Sequence, residues 1–287
     1  MSASVSVPPI PAATKRAPFR RPRVGKAGLV IGGVIVAAYV LLAIFAPLIA
    51  PFDPLQQDIS NALQAPSAAH IFGTDELGRD SFSRVIFGAR IDLPVALIGT
   101  VLPCLVGTFL GLLSGYFGKF VDVVVMRVAD LLQAFPTYIL MIVLVFALGP
   151  SIGSLIIAFT AVGWVVYARL TRGEVLRVKE SDYITAATAA GLRPIRIMTL
   201  HILPNTVRQT IVYFTSDLIF AISALASFSF LGFGVQPPTP EWGNMIAAGQ
   251  PYINAAPWLT VVPGLVLATL ALALALIGDS LQKEDGR

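Results

Sequence analysis

Charge is scarce in this sequence. Asp, Glu, Lys and Arg make up 13% of its 287 residues, about half the share a soluble domain carries. Hydrophobic residues reach 56%, with a mean hydropathy of +0.79. A water-soluble globule is excluded by that balance, and the chain reads as an integral membrane protein. Cysteine is nearly absent: Cys104 stands alone inside an apolar run, so no disulfide can form within the chain. Histidine is limited to His70 and His201, which leaves little for an intramembrane hydrolase to work with. A nucleotide-binding loop is missing too. Gly118-Lys119 is followed by Phe120 where such a loop needs Ser or Thr, and Leu113 holds the place of its first glycine.

The charges that exist are unevenly placed. Residues 1–26 are rich in Pro and Ala and then basic (Lys15, Arg16, Arg20, Arg21, Arg23, Lys26), which predicts a disordered cytoplasmic tail. Residues 27–52 carry no charge and are too long for a signal-peptide core, so a first transmembrane helix is expected there. Further charge-free runs follow at 93–118 and 131–168, the second divided by Gly149-Pro150-Ser151. Spans at 207–231 and 258–278 bring the expected number to six, with a short charged tail at 283–287. Counted on that topology, every Lys and Arg except Arg79, Arg84 and Arg90 falls on one side. That asymmetry places both termini in the cytoplasm. A pI near 9.4 therefore reports membrane orientation, and no nucleic-acid partner is expected.

Several local patterns bear on function. Residues 70–84 form a glycine-punctuated polar turn that Asp80 can cap. Phe82, Val85, Ile86 and Ala89 follow at helical spacing, predicting an interfacial amphipathic helix ahead of the second span. His70, Asp75, Glu76 and Asp80 lack a metal-ligand spacing, so that turn is expected to be solvated and locally ion-paired, without metal. Gly107, Gly111 and Gly115 recur every four residues, as close helix packing in a membrane requires. Gly149-Pro150-Ser151-Ile152-Gly153 has the spelling of a nucleophile elbow but lies between two apolar helices, so no catalytic residue is assigned. Trp242, in a proline-stiffened outer loop, is expected to anchor at the membrane interface. Asp217 sits in the middle of the fifth span. A carboxylate there costs about 2.5–3.5 kcal/mol on insertion scales, so it should line a translocation path or bond across a subunit interface.

The largest polar excursion on the cytoplasmic side is residues 169–204. Within it, Ser181 suits an N-cap, Asp182 favours the helix start, four alanines lie between Thr185 and Ala190, and Gly191 suits a stop that Pro194 reinforces. The short helix so predicted is marginal alone and needs a partner surface. Ala186-Ala187, Gly191 and Leu203-Pro204, spaced as they are, resemble the cytoplasmic loop of ABC importer permeases. With His201-Ile202-Leu203-Pro204-Asn205, the closest likeness is to the dipeptide/oligopeptide/nickel branch, although Thr185 stands where that family has Glu. The patterns Gly73-Thr74-Asp75, Gly78-Arg79-Asp80, Pro237-Pro238-Thr239-Pro240 with Trp242-Gly243, and Gly278-Asp279 also resemble that branch.

The resemblance implies an all-α membrane protein with the type I ABC importer permease fold. Residues 27–92 would supply the first span, an outer loop and the interfacial helix, and 93–282 the permease domain. It implies a coupling role for Asp182, Tyr183, Thr185, Ala186, Ala187, Gly191, His201, Leu203 and Pro204. The partners implied are a homologous second permease, two ATPase subunits that hold ATP and Mg²⁺, an extracytoplasmic solute-binding protein and membrane lipid. No cofactor is expected on this chain, and the location implied is the inner membrane of a prokaryote. Dipeptides, oligopeptides, glutathione-like peptides, nickel chelates and haem all remain open as substrates. An ion-coupled secondary transporter is the second reading, disfavoured because the two halves show no internal repeat.

Overall fold

A computed structural model describes residues 26–285; the expected tail up to residue 25 and the last two residues lie outside them. Among the described residues, nine helices of eight residues or more organise the fold: α1 (Lys26–Ile44), α2 (Ser81–Phe117), α3 (Lys119–Gln133), α4 (Thr137–Leu148), α5 (Ile152–Lys179), α6 (Asp182–Ala189), α7 (Leu203–Phe230), α8 (Trp242–Gly249) and α9 (Trp258–Asp285). Among the described residues five are long and apolar enough to cross a membrane, or six if α3 and α4, bent by 89° at a short break, count together as one span.

The second span differs from expectation. Residues 81–92 are not a separate interfacial helix but the first turns of the 37-residue α2. Asp80 caps it by accepting from Ser83 N at 2.8 Å, and no breaker interrupts it until Gly118. At 1.5 Å per residue α2 runs roughly 55 Å, well beyond the hydrocarbon thickness of about 30 Å. Its face bearing Val85, Ile86, Ala89 and Asp92 is buried inside the protein instead of lying on lipid.

Three other boundaries move. The first span ends as a helix at Ile44, followed by a separate turn, Ala46–Ile49. The third span breaks by 89° between α3 and α4. Pro136, which has no N–H and restricts Phe135, occupies the junction. Helix α5 continues to Lys179, so residues 169–179 of the expected cytoplasmic loop are helical. Pro194 does not delay the next helix. It starts one, at the first-turn position where proline is favoured. That helix, Pro194–Ile197, passes through a π-helical turn at Met198–Ile202 into α7.

The centre of the bundle is α2 against α5, with α7 and α4 packed on them and α1 outermost against α9. Gly107, Gly111 and Gly115 face α5: a Cβ at Gly107 or Gly111 would overlap the Trp164 or Ala168 carbonyl, and one at Gly115 would lie 2.7 Å from Val175 Cβ. Large apolar side chains such as Phe109 and Phe146 remain exposed, as on a surface meant for lipid or another subunit. Arg172 donates twice to Asp122, at 2.5 and 2.6 Å, which fastens α3 to α5.

Candidate functional site

Helix α6 stands at one end of the bundle, held by few side chains. Ile184 is buried against Val175, Val178, Ile197 and Ile202. Asp182, Tyr183, Thr185, Ala186, Ala189 and Ala190 are exposed, while Ala187 is half-buried. Ser181 occupies the N-cap, but its hydroxyl donates to Val178 O at 2.6 Å and leaves the helix N–H groups uncapped. The other end closes in a Schellman motif, with Gly191 N donating to Thr188 O and Leu192 N to Ala187 O. Gly191 has φ +75°, which glycine adopts without strain.

The segment after α6 returns beside it. Asn205 Nδ2 donates to Tyr183 Oη at 3.2 Å and to the His201 carbonyl at 2.6 Å. Tyr183, Arg177, Ser181, Pro204, Asn205 and Val207 are among the residues lining an open cleft of about 750 Å³. His201 lies in the π-helical turn, its Nδ1 buried without a hydrogen-bond partner, and Leu203 packs inward. The sequence-picked residues thus form two groups, an outward set on α6 with Pro204 and an inward set of Ala187, His201 and Leu203. Four cations flank α6 and all are exposed: Arg177 pairs with Glu174 and Lys179 donates to Tyr116 O, while Arg193 and Arg196 make no ion pair among the described residues.

The opposite end carries a cluster that the sequence reading places in solvent. Asp75, Arg79, Asp80 and Arg84 are all buried, each at most 6% exposed. Asp75 accepts from Arg79 Nε at 2.6 Å and lies 3.5 Å from Arg84 Nε, while Asp80 pairs with His70 at 2.9 Å. A Cβ at Gly78 would overlap the Asp58 carbonyl, so only glycine fits that turn. Among the described residues no cluster of three or more metal-ligating groups exists. Trp242 is fully buried, not interfacial: Nε1 donates to Val85 O at 2.9 Å and its backbone N–H to Asp92. Glu241 caps α8 by accepting from Gly243 and Asn244 N–H, and burial pushes its carboxyl up from the ordinary range. Beside this cluster, Phe52, Phe87, Arg90, Thr239 and Pro240 help line a cleft of about 790 Å³.

Midway between these ends, Tyr167 Oη donates to Asp217 Oδ2 at 2.9 Å, joining α5 to α7. Tyr167 is fully buried and Asp217 half-buried. The sequence reading weighs a pathway and a subunit interface for Asp217 but misses this partner, whose only signal is a tyrosine deep in an apolar span.

Residues 107–283 match the family described as binding-protein-dependent transport system inner membrane component. The chain belongs to that family. Residues 26–66 match the N-terminal transmembrane domain of oligopeptide transport permease C. The dipeptide transport system permease protein DppC of Haemophilus influenzae is 40% identical over 261 residues, 89% of this chain and 88% of its own length. DppC of Alkalihalophilus pseudofirmus is 40% identical over 253 residues, 88% of this chain and 83% of its own length. The oligopeptide transport system permease protein OppC of Bacillus subtilis is 36% identical over 252 residues, 88% of this chain and 83% of its own length. This is an inner-membrane permease subunit of an ABC importer with the type I permease fold, and it works with a further permease and with ATPase subunits, which carry the ATP hydrolysis.

Proposed function

We propose that this permease forms half of a peptide pathway in an importer whose second permease is homologous and whose two ATPase subunits bind ATP and Mg²⁺. Both termini lie in the cytoplasm, and an extracytoplasmic solute-binding protein docks on the outer face around the 790 Å³ cleft. Helix α6 engages an ATPase subunit through Asp182, Tyr183, Thr185, Ala186 and Gly191, with Pro204 at the rim of the adjoining cleft. Ala187 and Leu203 pack inward beneath that helix, and the His201 carbonyl accepts from Asn205, whose amide also donates to Tyr183. Asp217 lines the pathway. The observation that carries this reading is α6 itself: a two-turn helix exposing alanines and held to the bundle by one fully buried side chain, Ile184. So short a helix gains stability from packing, and its exposed face is smooth enough to enter a groove.

Ala186→Arg tests it in the reconstituted complex, because Ala186 is exposed and outside every span. The variant should insert and fold normally, while ATPase stimulation by loaded binding protein drops at least tenfold. Unchanged stimulation and transport would remove the docking role.

A further inference from the structure

Asp217 offers half of its carboxylate. Oδ2 is held by the fully buried Tyr167, while among the described residues Oδ1 makes no hydrogen bond and is not one of the buried, unpartnered polar atoms, so it reaches the molecular surface. Asp217 takes part in no ion pair among the described residues. The titratable groups facing it are Tyr167 from α5, Cys104 from α2 and Tyr213 from α7 itself. Tyr213 sits one helical turn before Asp217 on the same face, with its ring packed edge-on against Tyr167 at 5.0 Å and 81°. Its hydroxyl makes no hydrogen bond among the described residues.

A carboxylate oriented by a buried donor, one open oxygen and an aromatic ring beside it match an organic ammonium: the oxygen takes an N–H, and the ring face attracts the cation. An inorganic cation would want more oxygen ligands than converge here. We propose that Asp217, positioned by Tyr167, is the subsite for the α-ammonium group of a peptide in transit. This rests on the reading of the chain as a peptide permease. The subsite holds one end of the substrate by a feature every unmodified peptide shares, so side chains can vary without loss of the contact.

The test is retention of radiolabelled alanyl-alanine by the complete transporter trapped with vanadate after delivery from its binding protein. Asp217→Asn should assemble normally and retain about tenfold less peptide at pH 7, the loss of one charge-assisted hydrogen bond. The peptide amino group gives up its proton near pH 8. Retention by the native complex should therefore fall above that pH, and its lead over Asp217→Asn should close by pH 9. Tyr167→Phe, which keeps the ring and frees Oδ2, should show a smaller loss with the same pH dependence. Equal retention at pH 7, or a lead that persists at pH 9, would overturn the subsite. A complex that dissociates on Asp217→Asn would also overturn it, and would place the carboxylate against a cation of the second permease. If the native complex shows no ATP-driven uptake of alanyl-alanine, the peptide reading itself fails, a result distinct from each of these.

Discussion

Asp75 illustrates how much one side chain can hold when it is buried among cations. Its two oxygens accept from Leu77 N, Arg79 N and Arg79 Nε, and Arg84 Nε lies 3.5 Å away. Removing the carboxylate leaves two guanidinium groups inside the protein, with Glu76 as the one acid still ion-paired to either of them among the described residues. Breaking a buried charge cluster in this way costs about 3–5 kcal/mol. Asp75→Ala should therefore lower the midpoint of thermal unfolding of the detergent-purified protein by many degrees. Asp58→Ala, from the exposed cap of a neighbouring turn, should leave the midpoint nearly unchanged. Similar losses for both would show that this cluster contributes little to stability.

Among the helices, the pairing of α2 with α5 depends on side chains that are missing. A methyl group at Gly111 would meet the Ala168 backbone and Thr171 Cβ, whereas one at Gly33 in α1 would meet nothing within 4 Å. Gly111→Ala should cost about 1–3 kcal/mol by forcing the helices apart. Gly33→Ala, with better helix propensity, should be neutral or slightly stabilising. The pair is compared by fluorescence-detected melting, and equal melting points would mean that α2 and α5 do not pack on that face. This spacing of glycines is legible in the sequence, since its period matches the helix. So is the stop of α6 at Gly191. The break at Pro136 is harder to read, because prolines 94, 103 and 263 sit inside helices that continue past them. The charged cluster around Asp75 misleads for another reason. Its charges look solvated in a linear reading, and only the fold reveals that α8 and Trp258 cover them, with Trp258 Nε1 donating to Thr74 O. Asp217 with Tyr167, 50 residues apart, is a tertiary pairing that local pattern does not encode.

For the molecule as a whole, the count of cations predicts which end faces the cytoplasm, and labelling decides it. Cys104→Ala removes the one native thiol. In that background Ser67→Cys and Thr185→Cys both place an exposed thiol, one on the loop before α2 and one on α6. An impermeant maleimide applied to spheroplasts should modify the first and reach the second only after the membrane is opened. The reverse pattern would turn the molecule over and separate α6 from any cytoplasmic ATPase.

The π-helical turn at Met198–Ile202 has an implication for how this chain tolerates changes in length. A π turn accommodates one residue more than the α-helix around it, as though an insertion had been absorbed without disturbing its flanks. Deleting a residue elsewhere in α7 rotates everything beyond the cut by about 100° relative to the other helices. Deleting the exposed Thr199 should instead convert the turn to α geometry and preserve the phase of both sides, so that Asp217 still meets Tyr167. Deletion of Ile211, equally exposed but inside regular helix, should swing Asp217 away and abolish expression of folded protein. Comparing folded yield for the two deletions tests this, and equal intolerance would refute it. On this view the turn marks the one place along Pro194–Phe230 where the lineage could gain or lose a residue and keep the bundle in register.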